Sequence, residues 1–166
     1  GDTGGILNDD WQTINEAKQA MLVPLQFRLG GVTSVPPPAK VTVVEYYNAA
    51  LDHYFITASA AEMAALDSAT DAAFERTGYF FYAYADASTA PADAQPVCRF
   101  YADADTLINS HYFTADAAEC SFVRNRWPGI WQLEQSEAFY VQVPDSAGTC
   151  PGETLPVHRF FNNRRD

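Results

Sequence analysis

The sequence predicts an α+β fold dominated by β-strands, in which strand-strand-helix-strand units repeat with pseudo-threefold symmetry. The first observation behind this prediction is internal similarity: residues 43–84 and 97–143 share one ordered pattern, and residues 157–166 begin it again and stop. The second is composition, because 48% hydrophobic and 14% aromatic residues are typical of a folded core. Units of this kind bury their apolar faces against one another. We therefore expect one repeat domain whose third unit is truncated.

Equivalent positions can be followed through the copies one by one. A threonine and a glutamate recur at the same spacing in the first two copies, and an aromatic residue recurs in all three. The aligned sets are Val44, Cys98 and His158; Glu45, Arg99 and Arg159; Tyr46, Phe100 and Phe160; Thr57 and Thr114; Ser59 and Asp116; Glu62 and Glu119; Met63 and Cys120. The copies span about 41–86, 95–144 and, in part, 155–166, and together they form a repeat domain over 41–166.

The first 34 residues are predicted to form a separate N-terminal segment with a helix and a strand. Asn8 can cap a helix over residues 9–22, and residues 23–29 could follow as a strand. Three consecutive prolines make residues 35–40 a stiff, extended connector, so we place the domain boundary there. The apolar stripe of the helix comprises Trp11, Ile14, Ala17 and Met21.

Each repeat unit is expected to contain three strands. The runs VTVVEYY and PVCRFY are rich in β-branched and aromatic residues and predict the first strand. HYFIT and HYFT predict the second, and the one-residue difference between them suggests a bulge. ERTGYFFYAY, which begins at Glu75, and SEAFYVQV, which begins at Ser136, predict the third.

A short helix between the second and third strands has a well-marked start in both copies. Ser59 precedes Glu62 by three positions, and Asp116 precedes Glu119 by the same spacing, which is the pattern of a capping box. In such a box the glutamate side chain accepts a hydrogen bond from the backbone amide of the capping residue. The apolar side of the helix comprises Met63 and Leu66 in the first copy and Cys120 and Val123 in the second.

The third copy supplies only its first strand, PVHRFF, which would expose an unpaired strand edge. Two completions stay open: either residues 1–34 fold back and supply the missing strand and helix, or another chain supplies them. The apolar side chains of the N-terminal segment favour the first. The second predicts self-association, and a head-to-tail contact of that kind can run on as a filament.

The charge of the chain narrows its partners. A formal net charge of −11, with only ten basic residues, argues against nucleic acid and against an anionic membrane surface. No run of about 18 or more apolar residues is present, so the sequence predicts no membrane insertion. The N-terminus lacks the basic and apolar regions of a signal peptide, so a secreted form would already have lost that segment.

Three cysteines leave at least one without a partner inside the chain. Cys98 lies on a predicted strand and Cys120 on the helix that follows it, so a disulfide between them could join the two elements. Their counterparts in the first copy, Val44 and Met63, are both apolar, as expected where a covalent bridge replaces a packing contact. Two buried free thiols are the alternative. Cys150 would then be free or bonded to something beyond this chain.

No GxSxG, Walker loop, HExxH or paired CxxC motif is present, so the sequence predicts a non-catalytic protein without a metal or a cofactor. The histidines His53, His111 and His158 lie on the repeated strands. A structural role is the first interpretation, contact with a ligand the second, and catalysis beside a carboxylate the least favoured. Asp103 and Asp105 resemble the start of a calcium loop but lack its glycine and distal glutamate, so a solvated turn is preferred.

Aromatic side chains suggest where a ligand would bind. The chain has nine Tyr, eleven Phe and three Trp, and alternation along a strand sends neighbouring rings to opposite faces. Rings flanked by polar groups suit sugar recognition, although most of these rings could equally belong to the core. Trp127 and Trp131 are predicted to form an exposed platform. The predicted ligand-binding set consists of these two tryptophans, His111 and Tyr112, and their first-copy partners His53 and Tyr54.

The pattern HYFT-x-x-AAE, followed by W, EAFYVQVP, G-x-CP and PV-x-R-x-FN, resembles a family of secreted repeat modules of bacteria and fungi whose function is unknown. The family unit reads roughly PVYRFYN, HFYTT, AAE and GW-x-x-EG-x-AFY, and residues 41–166 match it. The chain departs from this unit in two places. The glycine that follows the W-x-x-E element is Gly78 in copy one, whereas Gln135 and Ser136 stand near its place in copy two. The third copy stops at Asp166. The resemblance implies three copies, an adhesive or ligand-binding accessory role, and no assigned catalytic residue.

These observations predict a non-catalytic binding module that is extracellular or on the cell surface. A carbohydrate or a cell-wall polymer is the expected partner. The alternative is a structural subunit of an extracellular assembly or filament, in which the N-terminal segment of a neighbouring chain completes the third unit.

Overall fold

The structure, a computed structural model, describes residues 20–23, 40–69, 73–102, 109–152 and 154–159. In these ranges the strands form two antiparallel sheets with two helices, so the predicted α+β, β-rich class is confirmed. The strands are β1 (Ala20–Val23), β2 (Lys40–Asn48), β3 (His53–Thr57), β4 (Glu75–Tyr84), β5 (Ala94–Pro96), β6 (Cys98–Ala102), β7 (Ser110–Thr114), β8 (Gln132–Gln135), β9 (Tyr140–Gln142) and β10 (Leu155–His158). The helices are α1 (Ala60–Ser68) and α2 (Ala117–Arg126).

The two sheets contain the same local arrangement of strands. The larger sheet runs in the order β10-β1-β9-β4-β2-β3, with β5 paired to β9, and the smaller one in the order β7-β6-β8. β2 therefore lies between β3 and β4 as β6 lies between β7 and β8. Val44 pairs with Thr57, and Cys98 pairs with Thr114, which is the alignment that the sequence predicts.

The third strand of the second copy, predicted over residues 136–143, is shorter than expected and is preceded by another strand. In the first copy β4 is continuous, whereas in the second β8 pairs with β6 and β9 pairs with β5. The predicted strand is confirmed for Tyr140–Gln142 only, and β8 lies before its predicted start at Ser136. Val97 separates β5 from β6, and its backbone exchanges hydrogen bonds of 2.8 and 2.9 Å with Phe139 and Ala138. The chain thus passes from one sheet to the other without losing its pairing.

The register shifts, or bulges, lie where β4 pairs with β2 and where β8 pairs with β6. β3 and β7 pair with their neighbours in unbroken register, so the bulge predicted from HYFIT and HYFT is wrong. The register shifts between Val44 and Tyr46 opposite β4, and between Arg99 and Phe100 opposite β8. Gly78, in the shifted part of β4, has a φ of +87°, a conformation that glycine adopts without steric cost.

Strand β1 is the described part of the N-terminal segment. It pairs along its whole length with β10, the predicted first strand of the third copy, and Leu22 also pairs with Gln142 of β9. The prediction that residues 20–22 end a helix is wrong, because pairing with β10 overrides the local helical spacing. The remainder of that predicted helix, the predicted strand beyond residue 23 and most of the connector over 35–40 lie outside the described residues, as do Asp103 and Asp105.

The predicted disulfide between Cys98 and Cys120 is present, with the Cα atoms 6.1 Å apart. It joins β6 to α2 inside the apolar cluster of the smaller sheet. At the equivalent place in the larger sheet, Val44 and Met63 belong to a single apolar cluster, so packing replaces the covalent bridge there. Cys150 is a half-buried free thiol.

The prediction that Trp127 and Trp131 are exposed is wrong, since only 6% and 5% of their surfaces are accessible. α2 ends at Trp127, and a turn brings Trp131 back so that its backbone amide donates to the Trp127 carbonyl at 2.9 Å. α2 buries only Val123 against the smaller sheet. The two indoles fill the space beside it, in one cluster with Phe100 and Tyr112.

Candidate ligand-binding cleft

An open cleft of about 270 Å³ lies where α1 and β3 meet the smaller sheet. Its walls are mostly apolar, but four of its side chains are charged or titratable. A concave site that combines aromatic rings with a few convergent polar groups is the usual form of a ligand-binding pocket. The lining residues are Phe55, Glu62, Ala65, Leu66, Phe74, Arg99, His111 and Glu134.

Arg99 is the buried cation of the cleft, with 7% of its side chain exposed. Its Nη1 and Nη2 atoms donate to the two carboxylate oxygens of Glu62 at 2.9 and 2.8 Å. Its Nε atom lies 2.8 Å from Glu134 Oε2. The guanidinium also lies over the ring of Phe55, 5.2 Å from its centre. Arg99, on β6 of the smaller sheet, therefore joins Glu62 of α1 to Glu134 of β8 through charged contacts.

The start of α1 explains why Glu62 is free to bind Arg99. Ser59 accepts a hydrogen bond from the Glu62 amide at 3.3 Å, so the predicted N-cap is confirmed. The reciprocal half of the capping box is wrong, because the Ser59 amide donates to Thr57 Oγ1 at 2.9 Å. The Thr57 hydroxyl itself donates to Glu62. The threonine thus takes the glutamate's usual place, and the carboxylate turns outward to the arginine.

The same contacts recur at α2. Asp116 accepts hydrogen bonds from the amides of Ala118 and Glu119 at 2.6 and 2.9 Å, and its own amide donates to Thr114 Oγ1. Glu119 receives both terminal nitrogens of Arg159 at 2.9 Å. Arg159 also donates to the Phe113 carbonyl. Glu62 of α1 therefore binds Arg99 of β6, and Glu119 of α2 binds Arg159, the residue that follows β10.

His53 and His111 occupy positions of β3 and β7 that differ by one residue in register, and this difference lets the two side chains meet. Counted back from Thr57 and Thr114, His111 is equivalent to Tyr54, and His53 to Ser110. The prediction that His53 and Tyr54 are equivalent to His111 and Tyr112 is therefore wrong. A shift of one residue moves a side chain to the opposite face of a strand. His53 accordingly shares the face of β3 that carries Phe55, and His111 the face of β7 that carries Phe113.

The contact between the histidines is direct. The backbone amide of His111 donates to His53 Nε2 at 3.1 Å, and His111 Nδ1 lies 3.3 Å from the same atom. Burial, together with the charges of His53 and Arg99, lowers the pKa of His111 to about 3. Burial also lowers the pKa of His53. Both rings are therefore neutral at pH 7.

The two carboxylates of the cleft differ in how they are held. The hydrogen bonds from Arg99 lower the pKa of Glu62, against the opposing effect of burial, so its carboxylate stays ionised. Glu134 occupies the bulge of β8, where the Cα partners skip from Leu133 to Gln135. Its Oε2 atom contacts Arg99 and, at 3.5 Å, His111 Nε2. One third of the Glu134 side chain is exposed to the cleft and solvent.

Of the other predicted ligand-binding residues, His53 contacts His111 without lining the cleft, whereas Tyr54, Tyr112 and the two tryptophans lie apart from it. Tyr54 is exposed on the outer face of the larger sheet, where its ring lies 4.6 Å from that of Tyr47. Tyr112 is buried, and burial raises the pKa of its hydroxyl. With the two tryptophans also in the core, His111 is the one member of the predicted set that lines the cleft. A ligand-binding role for any member of the set stays a prediction.

Sequence reasoning missed the residues that form most of the cleft. From the sequence, Arg99 is predicted only as part of a strand and Glu62 only as part of a helix start, and no prediction falls on Glu134. A signal for the first two was present, because arginine recurs at 99 and 159 and glutamate at 62 and 119. Their pairing across successive copies, not within one copy, is what the structure adds.

Comparison with known proteins places the chain in a family. The model of the family described as a domain of unknown function, DUF5648, matches residues 7–142, and the chain belongs to this family. No curated protein and no solved structure matches the chain. The resemblance to a family of unknown function is thus confirmed, whereas the repeat character and the secretion that it implied stay predictions. No helix among the described residues is long and apolar enough to cross a membrane.

Proposed function

We propose that this chain is a non-catalytic, extracellular binding module that holds a carbohydrate, or a cell-surface polymer, in the cleft between its two sheets. The observation that carries the proposal is the cleft itself, where the rings of Phe55 and Phe74 lie beside two carboxyl side chains and a histidine. Aromatic rings pack against the C–H faces of a sugar, and carboxylate oxygens accept hydrogen bonds from its hydroxyl groups. The disulfide between Cys98 and Cys120 is in keeping with an oxidising, extracellular environment.

The charged groups favour binding over catalysis. A general acid needs a carboxyl whose pKa is raised towards neutrality. The pKa of Glu62 is instead lowered by Arg99, which makes its carboxylate a permanent acceptor. The cleft volume of about 270 Å³ is below the range of about 300–1,000 Å³ usual for drug-sized ligands, so it suits one sugar ring at a time.

We also propose that the domain consists of three related units, the third of which begins with β10. Arg159 binds Glu119 with the geometry by which Arg99 binds Glu62. Arg159 therefore relates to the second helix as Arg99 relates to the first. In this arrangement each junction between units is a candidate cleft, and the open cleft described above lies at the first junction.

Polysaccharide pull-down and calorimetry with soluble oligosaccharides test the binding role. Phe74→Leu keeps an apolar side chain but removes a ring from the cleft, and it should abolish retention that the unmodified chain shows. Tyr79→Ala removes a half-exposed ring that does not line the cleft and is the matched control. Tyr54→Ala tests the alternative platform on the outer face. Failure of the unmodified chain to bind any glycan would contradict the proposal.

The second candidate, a structural subunit completed by a neighbouring chain, is less well supported. β10 already has a partner in β1 of the same chain, and this pairing favours self-completion. Sedimentation across a dilution series separates the two functions, because a self-completed module keeps a constant monomer mass. A mass that rises with concentration would favour the subunit.

A further inference from the structure

We infer that the cleft selects sugars that carry a free ammonium group, such as de-N-acetylated amino sugars, over sugars that carry a carboxylate. This inference rests on the proposed carbohydrate-binding function and names the ligand class of the same site. It follows from which charged atoms of the cleft are already engaged and which are available.

The cation of the cleft is not available to an anionic ligand. Arg99 is the only arginine or lysine among the described residues that line the cleft. Both terminal nitrogens are engaged by Glu62, the Nε atom by Glu134, and one face of the guanidinium by Phe55. Because only 7% of the Arg99 side chain is exposed, a carboxylate ligand has little access to the remaining N–H groups of the guanidinium. Arginine held in this way positions the carboxylates and does not recognise an acid.

A carboxylate oxygen is available instead. The contacts of Glu134 with Arg99 and His111 are both made through Oε2, so Oε1 remains an acceptor at the cleft. The side chain is one-third exposed, unlike that of the arginine it holds. The lining holds two carboxyl side chains, Glu62 and Glu134, against one guanidinium, Arg99, and the lowered pKa of His111 keeps that ring neutral. The chain as a whole carries −11, which adds to the field that attracts a cation.

The aromatic walls suit a cation as well as a sugar ring. The face of Phe55 already accepts the guanidinium of Arg99 at 5.2 Å, and Phe74 lies 6.1 Å from Phe55. An ammonium group near an aromatic ring is attracted by the negative charge density of the ring face. A carboxylate beside two phenyl rings is therefore a suitable place for the amine of one sugar, with the ring carbons packed on Phe74.

The test compares three soluble oligosaccharides by calorimetry at about pH 6, where such an amine is protonated. The first carries free amines, the second is its N-acetylated counterpart, and the third is an oligouronate. We expect the amine form to bind about tenfold or more tightly than the acetylated form, because it gains a charge-assisted hydrogen bond. No binding of the oligouronate is expected. Added salt should weaken the amine form most.

Glu134→Gln removes the charge but keeps the shape of the side chain. It should reduce the preference for the amine form to about twofold or less, because both forms then meet a neutral amide. Glu137→Gln, in the exposed segment after β8, is the matched control and should retain the preference. A cooperative thermal unfolding transition shows that each variant is folded, and Glu134→Gln should unfold at a lower temperature because Arg99 loses a charged partner.

Each result decides between the two proposals. Equal binding of the amine and acetylated forms, or a preference for the oligouronate, overturns the inference and leaves the binding function standing. A preference that survives in Glu134→Gln also overturns it. Absence of binding to every glycan contradicts the proposed function itself. Binding of a lysine-rich peptide in place of any sugar overturns the carbohydrate assignment.

Discussion

Arg99 is the residue on which the contact between the two sheets depends most. Its side chain is almost wholly buried, and it meets two carboxylates from different elements. Burying a cation is costly unless charged partners surround it, and removing one partner leaves the rest uncompensated. Arg76 provides a natural comparison, because it makes a similar pair with Asp67 while nearly half of each side chain is exposed. Burial, and not distance, separates the two ion pairs.

Arg99→Met should lower the free energy of unfolding by about 2–4 kcal/mol, since it leaves Glu62 and Glu134 close together without a cation. Arg76→Met, the control, should cost less than about 1 kcal/mol, because water screens an exposed pair. Urea unfolding followed by circular dichroism measures both values. Similar losses for the two variants would contradict the role assigned to Arg99.

At the scale of single elements, the helix starts are defined by side-chain caps. Asp116 accepts two backbone amides of α2, whereas Ser59 accepts one amide of α1 at a longer distance. An N-cap that satisfies two donors stabilises a helix more than one that satisfies a single donor. The stability of the smaller sheet should therefore depend on its cap more than that of the larger sheet does.

Asp116→Ala should lower the free energy of unfolding by about 1–2 kcal/mol, and Ser59→Ala by about 0.5–1 kcal/mol. Asp116→Asn keeps an oxygen acceptor at the same place and should cost only a few tenths of a kcal/mol. Thermal unfolding of the three variants measures the differences. A larger loss for Ser59→Ala than for Asp116→Ala would contradict this ranking.

The disulfide attaches α2 to β6, and the packed pair Val44 and Met63 attaches α1 to β2. The bridge closes a loop with a sequence separation of 22 residues. A loop of that length restricts the unfolded chain by about 3 kcal/mol in the chain-entropy description. The apolar pair offers only its packing energy.

The variant Cys98→Val with Cys120→Met copies the pair of the first sheet into the second. It should be about 3 kcal/mol less stable than the oxidised chain, because it loses the cross-link. The control, Cys98→Ser with Cys120→Ser, should be less stable still, since it buries two hydroxyl groups where apolar side chains pack. Denaturant unfolding with and without reductant gives the comparison. Equal stability of the two double variants would show that packing at these positions does not matter.

For the whole molecule, local signals in the sequence predicted most of the described elements but not the cleft. The helix starts at Ser59 and Asp116 follow from side-chain caps within four residues, and β3 and β4 follow from their aromatic and β-branched residues. The start of β9 at Tyr140, and not at Ser136, depends on its pairing with β5, so no local pattern reveals it. The burial of Trp127 likewise depends on the space that α2 leaves beside the smaller sheet.

The cleft itself arises from contacts between residues that are far apart in the sequence and belong to different predicted copies. Arg99 and Glu62 are 37 positions apart, and His111 and His53 are 58 apart. The sequence shows that these residues recur, but recurrence alone does not say which copy contacts which. A one-residue difference between HYFIT and HYFT decides that two histidines face each other, and its effect is visible only once the register is known.

The junction between the sheets should make the stability of the molecule depend on pH. The pKa of His111 falls from its ordinary value of 6.5 to about 3 in the folded chain, so the unfolded chain binds more protons below pH 6.5. The contribution of the neutral His111 ring to the free energy of unfolding is therefore complete above pH 6.5 and is lost progressively as the pH falls towards 3. The loss is about 1.4 kcal/mol for each pH unit for one such histidine. Glu62, whose pKa is also lowered, adds a loss that begins below about pH 4.5.

Replacement of His111 by Gln tests the origin of this dependence. The charged and polar groups that face His111 are His53, Arg99, Glu62, Glu134 and Tyr101, whose ring centre lies 4.9 Å from that of the imidazole. His111→Gln cannot take up a proton, so its free energy of unfolding should change much less between pH 6.5 and 5 than that of the unmodified chain. His158→Gln, at an exposed position of β10, should keep the original slope. Urea unfolding at several pH values measures the slopes. An unchanged slope in His111→Gln would assign the acid sensitivity to other groups, first among them His53, whose pKa burial also lowers.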